Sequence, residues 1–439
     1  MTRPSTTRRG FLAGGALVVG TTGAGCMLPR SSSRVAAGDG RLTFEAVDEG
    51  LRERTLSVYE RVEGMVEASI RSPTTIELID SEEMREMART GGVTGETTTQ
   101  QLAHLALGLT DELDPQIPFE FAGAYFPSDE RILFVGDDGE DVSDQLIAHE
   151  LTHAIQFQDS DVANWDRSWE IGFDRFHAKG SVVEGTAQFV EDQYVGGCDG
   201  EFSNCLLADS RSINPRGIDS TLLLAFGIYF NGHDFVDALA ARDGWQGVWD
   251  AHTHAPAHTG QILKPEWYPD REPESVPAVD VDSGDGASGN GTSGNWHRLD
   301  DEQLGMQSVF LTLWIENALP DEAIHTMDPA DSDPVFSTLV RYHDGVSDAW
   351  RGDRFTAFER TDDRLGWNWR IRFADASTAE DGYEHFREWA DARGSEFEDG
   401  RWQREDRFEA LALLDEDLVI GMAPDVEDLE TIAPALLEA

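Results

Sequence analysis

Apolar residues recur at helical spacing between Glu45 and Ile70, through Val47, Leu51, Leu56, Val58, Val62, Met65 and Val66, which predicts an amphipathic helix. The β-branched run Thr74–Ile79 predicts a strand. Ser81 followed by Glu82 and Glu83 opens a short helix, since a small polar cap and acidic residues suit a helix N-terminus. A further helix is predicted over Thr98–Leu113. Phe119–Phe126 and Arg131–Val135 read as paired strands around a turn at Pro127-Ser128-Asp129. Asp141–Gln158 gives the strongest helical pattern, with Ser143 or Asp141 as its cap and Asp144 in its first turn. Ser181–Tyr194 is a second strong helix, and shorter ones are predicted over Leu222–Phe230 and Phe235–Ala241.

From Asp270 to Asn295 periodicity disappears into Asp, Ser and Gly, the composition of a linker or exposed loop. Asn290-Gly291-Thr292 within it fits a glycosylation acceptor. Beyond it the pattern predicts a helix over Asp300–Asn317. Strands Phe355–Arg360 and Gly366–Phe373, a helix Thr378–Arg393, and strands near Phe408–Leu414 and Leu418–Met422 follow. The fold class expected is α+β, ending in a ferredoxin-like module. The expected organisation is a leader over 1–26, a tether over 27–40, a main domain over 41–269, a linker over 270–298 and a C-terminal module over 299–439.

Charge narrows the functional classes. There are 84 acidic and 34 basic residues, a formal net charge of −50, with the acids spread along the whole chain. Nucleic-acid binding needs a basic stripe to neutralise phosphates, and none is visible. Only Lys179 and Lys264 are lysines; every other basic residue is Arg. This acid-rich, lysine-poor profile resembles proteins of extremely halophilic archaea.

The N-terminus reads as a targeting segment. Thr7-Arg8-Arg9-Gly10-Phe11-Leu12 resembles a twin-arginine export signal, and the apolar stretch Ala13–Gly20 is too short to span a bilayer. Gly23-Ala24-Gly25-Cys26 resembles a lipobox with Gly in place of the usual Leu three positions before the cysteine. On that reading Cys26 is lipidated and anchors the protein to the outer face of the cell membrane; the other reading is a cleaved signal with an incidental cysteine. Cys198 and Cys205 remain as an even pair around a short polar loop, which suits a disulfide outside the cell.

The chemistry is concentrated in Ala148-His149-Glu150-Leu151-Thr152-His153-Ala154. Two histidines four apart on a helix project from one face, as two nitrogen ligands of one Zn2+ must. Glu150 lies beside them, where a carboxylate can take a proton from water. A third ligand must come from elsewhere. His177 and Glu184 are both open, with Glu184 favoured by its place in the second strong helix, in Val183-Glu184-Gly185-Thr186-Ala187.

This arrangement resembles the gluzincin group of zinc metallopeptidases, in which a Glu on a following helix completes the site and Glu-Gly-x-Ala carries it. The resemblance implies a zincin-like domain with Arg131–Val135 as an edge strand that binds an extended peptide by strand addition. The run from His149 through Gln158, the later Val-Glu-Gly-Thr-Ala, and Gln261–Tyr268 together resemble a haloarchaeal family of exported surface proteins regarded as zinc metallopeptidases. Relatives there tend to have Glu at the position of Gly260 and His at that of Lys264. By the resemblance, Glu150 is the general base, and Tyr229 and His233 lead as oxyanion stabilisers, with Tyr194 behind them. A peptide or protein is the substrate implied.

Other features carry less. His252, His254 and His258 read as exposed loop histidines rather than a second metal site. No Gly-rich phosphate loop and no Gly-x-Ser-x-Gly elbow occurs. Beside the peptidase stand a non-catalytic surface binding protein stabilised by zinc, and a solute-binding lipoprotein, for which a paired-lobe repeat would be expected and none is found.

Overall fold

The computed structural model describes residues 35–37, 40–90, 97–110, 122–165, 169–208, 220–278, 296–316, 318–319, 324–326, 340–342, 345–404 and 407–433. Strands β1 (Val35–Ala37) and β2 (Leu42–Glu45) lead into helix α1 (Glu49–Val66) and strand β3 (Thr74–Ile79). Helices α2 (Ser81–Thr90) and α3 (Thr98–Ala106) precede strands β4 (Gly123–Phe126) and β5 (Arg131–Val135). Four helices follow: α4 (Asp144–Asp159), α5 (Phe173–Cys198), α6 (Ser220–Thr253) and the short α7 (Thr259–Leu263). The remainder is β6 (Trp296–Glu302), α8 (Gly305–Ile315), β7 (Ile324–Thr326), β8 (Val340–Tyr342), α9 (Gly345–Asp348), β9 (Trp350–Arg360), β10 (Leu365–Phe373), α10 (Ala376–Arg393), β11 (Ser395–Glu398), β12 (Arg401–Gln403), β13 (Phe408–Leu414), β14 (Asp417–Ala423) and α11 (Val426–Ile432). The class is α+β. The leader with Cys26, and residues 279–295 of the linker with Asn290, lie outside the described residues. Among the described residues no helix is long and apolar enough to cross a membrane.

The described residues form two compact units that interleave along the chain: those within 1–93, 117–165 and 187–209, and those within 94–116, 166–186 and 210–439. The described residues within 94–116, 166–186 and 210–269 cluster with those of the C-terminal part of the chain. Helix α5 runs through both units.

In the first unit the sheet order is β1-β2-β3-β5-β4. β2, β3 and β5 are parallel, while β1 and β4 pair antiparallel at the two edges. Residues 35–37, expected in a tether, are thus strand. β5 is flanked by β3 and β4, so Arg131–Val135 is an inner strand and the edge beside it is β4. Asp48 caps α1 by accepting from Leu51 N at 2.9 Å, and Leu51, Val58, Val62 and Val66 bury one face of that helix. Helix α4 packs against α1 and β4. Its cap is Ser143, which accepts from Leu146 N, and Asp144 stands in its first turn. Asp141, expected as the helix start, instead ends a separate 3-10 turn over Gly139–Asp141.

In the second unit the sheet order is β11-β12-β13-β14-β10-β9-β6, every neighbouring pair antiparallel. Residues 300–302, expected in a helix, belong to β6, and the helix begins at Gly305, whose φ of 83° makes the turn. The pair expected over 222–241 is the single helix α6, interrupted at Gly244, where φ is 66°. Alternation along β10 puts α10 and α11 on opposite faces. Trp369 meets Phe386 of α10 at 5.9 Å between ring centroids, whereas Asn368 Nδ2 donates to the Ile432 carbonyl of α11 at 2.7 Å. A ferredoxin-like βαββαβ pattern is met only in part. The split β10-α10-β13 unit is present with β14 between its strands, but β9 rather than a final strand flanks β10.

Buried carboxylates tie these layers together. Asp353 of β9 accepts from Leu304 N, Gly305 N, Trp350 Nε1 and Trp369 Nε1 at 2.8–3.0 Å. Asp174 of α5 accepts from Thr259 N, Thr259 Oγ1 and Gln303 Nε2. Burial, opposed by the hydrogen bonds and reinforced by the charge on Asp174, pushes the Asp353 carboxyl from its ordinary 3.8 up to about 6. Its folded value lies above its unfolded one, so its stabilising contribution is complete below about pH 4 and is lost as pH rises through about 6. Equilibrium unfolding of the wild type and Asp353→Asn between about pH 3.5 and 7 should show the wild type's advantage shrinking by up to about 3 kcal/mol across that window. A pH-independent difference would mean that the carboxyl ionises normally.

Candidate metal centre

Helix α4 buries nearly its whole circumference. Ile147, Leu151, Ala154 and Ile155 form its apolar lining, and His149, Glu150 and His153 are each 1% exposed or less. The four-residue spacing puts the two imidazoles on one side, meeting edge to face with ring centroids 4.8 Å apart. Glu184 of α5 completes the group: one ligand atom from each of His149, His153 and Glu184 lies within 4.8 Å of the others, and all three residues are buried. Among the described residues this is the one group of its kind. It could hold a metal ion, since two imidazoles and a carboxylate are a zinc-type donor set with room for one further ligand.

Two hydrogen bonds orient the imidazoles. His149 Nδ1 lies 3.1 Å from Glu191 Oε2, and His153 Nδ1 lies 2.8 Å from Gln156 Oε1. A carboxylate and an amide oxygen only accept, so each Nδ1 carries the hydrogen and each Nε2 keeps its lone pair for a metal. Glu191 stands seven residues after Glu184, two turns along the same face of α5. One helix therefore supplies both the carboxylate of this group and the residue that holds His149.

Glu150 lies against the edge strand. A Cβ on Gly123 of β4 would stand 3.0 Å from Glu150 Cγ and 3.1 Å from Oε1. A side chain at position 123 would therefore crowd the Glu150 carboxylate, and glycine lets the strand backbone lie close to it. The second close approach is between helices: a Cβ on Gly185 would overlap the backbone of Gly232 in α6, and one on Gly232 would overlap the Ser181 carbonyl. α5 and α6 thus cross backbone to backbone at the residue after Glu184.

His177, the other third-ligand candidate, is not in the metal group. Its Nδ1 donates to the Phe173 carbonyl at 2.8 Å, and burial pulls its pKa down to about 4. Tyr229 and His233 flank Gly232 on α6. Tyr229 is buried, and His233 Nδ1 lies 3.5 Å from Asp234 Oδ1; neither joins the metal group. The Tyr194 hydroxyl is taken by Arg61 Nη1 at 2.6 Å, which makes it a tie between α5 and α1. His252 and His258 are fully buried rather than exposed, and each bonds a backbone carbonyl, of Val248 and Arg271 respectively. His254 alone of the three is exposed. Gly260 packs against His258 and Trp350, and Lys264 Nζ donates to the Asp348 carbonyl.

Glu191, Gln156, Gly123 and the Gly185–Gly232 crossing escaped the sequence reading. The heptad spacing from Glu184 to Glu191 was the one signal available for the first. The glycines answer to neighbours remote in sequence and gave none.

Residues 295–433 match the model of a family described as a domain of unknown function (DUF8575). No curated protein and no solved structure matches the chain.

The glycines on α5 give a sharp contrast. Gly196 has open space around its Cα, so Gly196→Ala should stabilise by about 0.5–1 kcal/mol. Gly185→Ala should instead destabilise by roughly 1–3 kcal/mol, because the new methyl has nowhere to go. Thermal unfolding of the two variants measures both, and equal shifts would contradict the close crossing.

Proposed function

We propose that the protein is a zinc-dependent peptide hydrolase of zincin-like type, acting at the outer face of the cell membrane. The observation that carries this reading is the buried His149–His153–Glu184 group, with Glu150 next to His149 in the chain and against Gly123 of the edge strand β4. When bound there, zinc supplies a Lewis acid that polarises a scissile carbonyl and makes water acidic. Glu150 takes the proton from the attacking water and passes it to the departing amine. Glu191 and Gln156 keep the two imidazoles presented through Nε2.

β4 is suited to hold the substrate. Val135 N donates to the Ala122 carbonyl, and pairing alternates along an antiparallel ladder. The backbone groups of Gly123 and Tyr125 therefore face away from β5, toward the open edge. An extended peptide added there would run past Glu150. Export and a lipid anchor at Cys26 belong to the same proposal and rest on the leader's sequence. Tyr229 and His233, on the helix that crosses α5 beside Glu184, stay the proposed oxyanion stabilisers.

The purified mature chain in high salt should bind one zinc and cleave an unstructured protein. Glu150→Gln should keep the metal and lose about 10³-fold in rate. Zinc binding without hydrolysis above that variant would leave the non-catalytic, zinc-stabilised binding protein as the function. Glu184→Ala should lose zinc and His177→Ala should retain it. Glu191→Ala should weaken zinc affinity about 10–100-fold. Metal analysis after dialysis separates these outcomes.

A further inference from the structure

The Cys198–Cys205 disulfide closes a loop at the end of α5, and the chain leaving that loop goes directly to the start of the metal helix. The Leu206 carbonyl accepts from Asp144 N at 2.7 Å, Leu206 N donates to Asp144 Oδ2 at 3.0 Å, and Ala208 N donates to Gln145 Oε1 at 3.0 Å. Asp144 and Gln145 are the first two residues of α4, one turn before His149. Their backbone N–H groups have no partner within the helix, so a segment that supplies one sets where the helix begins.

The loop is itself held in place. Its turn closes on the Gly197 carbonyl, which accepts from Glu201 N and Phe202 N. Arg61 of α1 stacks over Phe202, 4.7 Å from the ring centroid, and donates to the Ser203 carbonyl. Arg54 of α1 bonds Asp144 Oδ1 at 2.7 Å from the other side. α5 carries Glu184 and Glu191, and α4 carries His149 and His153. The disulfide therefore joins the end of one ligand helix to the beginning of the other through three residues of chain, and Gln145 and Asp144 receive that chain.

We propose that this disulfide and the segment Leu206–Ala208 position the metal helix, with Asp144 and Gln145 as positioning residues, so that metal affinity depends on the redox state of Cys198 and Cys205. The inference rests on the metal reading of the His149–His153–Glu184 group. Reduction breaks the S–S bond and leaves two thiols. With a trialkylphosphine as reductant, phosphorus gives up two electrons and becomes the phosphine oxide, taking its oxygen from water, whose two protons go to the sulfurs. The freed segment then holds α4 by hydrogen bonds alone, and the helix start loosens against α5.

The test is zinc affinity of the full mature chain, read by competition with a chromogenic chelator. It is measured on the oxidised protein, on the phosphine-reduced protein and on the Cys198→Ser/Cys205→Ser variant, which excludes new thiol ligands. Gln145→Leu leaves the disulfide intact and removes the bond to Ala208, since among the described residues Gln145 Nε2 has no hydrogen-bond partner. Reduced and serine forms should bind zinc about 10-fold or more weakly than the oxidised chain, in the range seen when a ligand's supporting partner is lost. Gln145→Leu should weaken binding in the oxidised state and respond less to reduction. Affinities within twofold of one another across folded oxidised, reduced and Gln145→Leu protein overturn the brace. An oxidised chain that binds no zinc overturns the metal reading instead. If the serine variant does not fold, the Gln145→Leu comparison decides alone.

Discussion

The hydrogen bond from His149 Nδ1 to Glu191 Oε2 locks the axial register of α4 against α5. Glu184 lies two turns earlier on the same face of α5 and belongs to the same buried group. The bond also selects the tautomer that presents Nε2. It acts through an interior where a carboxylate and an imidazole are shielded from water, and there a hydrogen bond to a charged group is worth more than at the surface.

The same economy governs the rest of the molecule. A chain with 84 acidic residues can leave most of them in solvent, yet a few are buried, and three of these hold elements together. Asp353 gathers a helix start and two indoles, Asp174 joins α5 to α7 and to the residues before α8, and Asp144 receives both Arg54 and the chain behind the disulfide. Buried carboxylates of this kind are held by several donors at once, which is what makes their burial tolerable. Close backbone approaches do the complementary work, with Gly123 admitting Glu150 and Gly185 admitting α6.

Legibility in the sequence followed locality. The run of α1, the strand at Thr74–Ile79, the helix of the His-Glu-Leu-Thr-His motif and the strands after residue 350 were readable because their patterns lie within one element. The helix expected over Asp300–Asn317 was misjudged because β6 ends and α8 begins inside it, and the boundary depends on Gly305 turning over Asp353. The pair of helices expected over 222–241 is one helix because nothing local breaks it before Gly244. Arg131–Val135 was read as an edge, but strand order is a property of the sheet and no window of sequence contains it.

That His149 and His153 share one side of a helix was legible in the sequence alone, because a four-residue spacing fixes a common face whatever surrounds it, and Glu150 follows as the neighbour of His149. The tertiary structure decided between His177 and Glu184 for the third position in the group, since both stand on α5 and only the packing of that helix on α4 brings one of them to the imidazoles. It also decided which strand lies beside Glu150, which carboxylate supports His149, and that the chain after Cys205 meets the start of α4 at Asp144. Each of these is a contact between residues distant along the chain, set by packing and strand order rather than by local spacing.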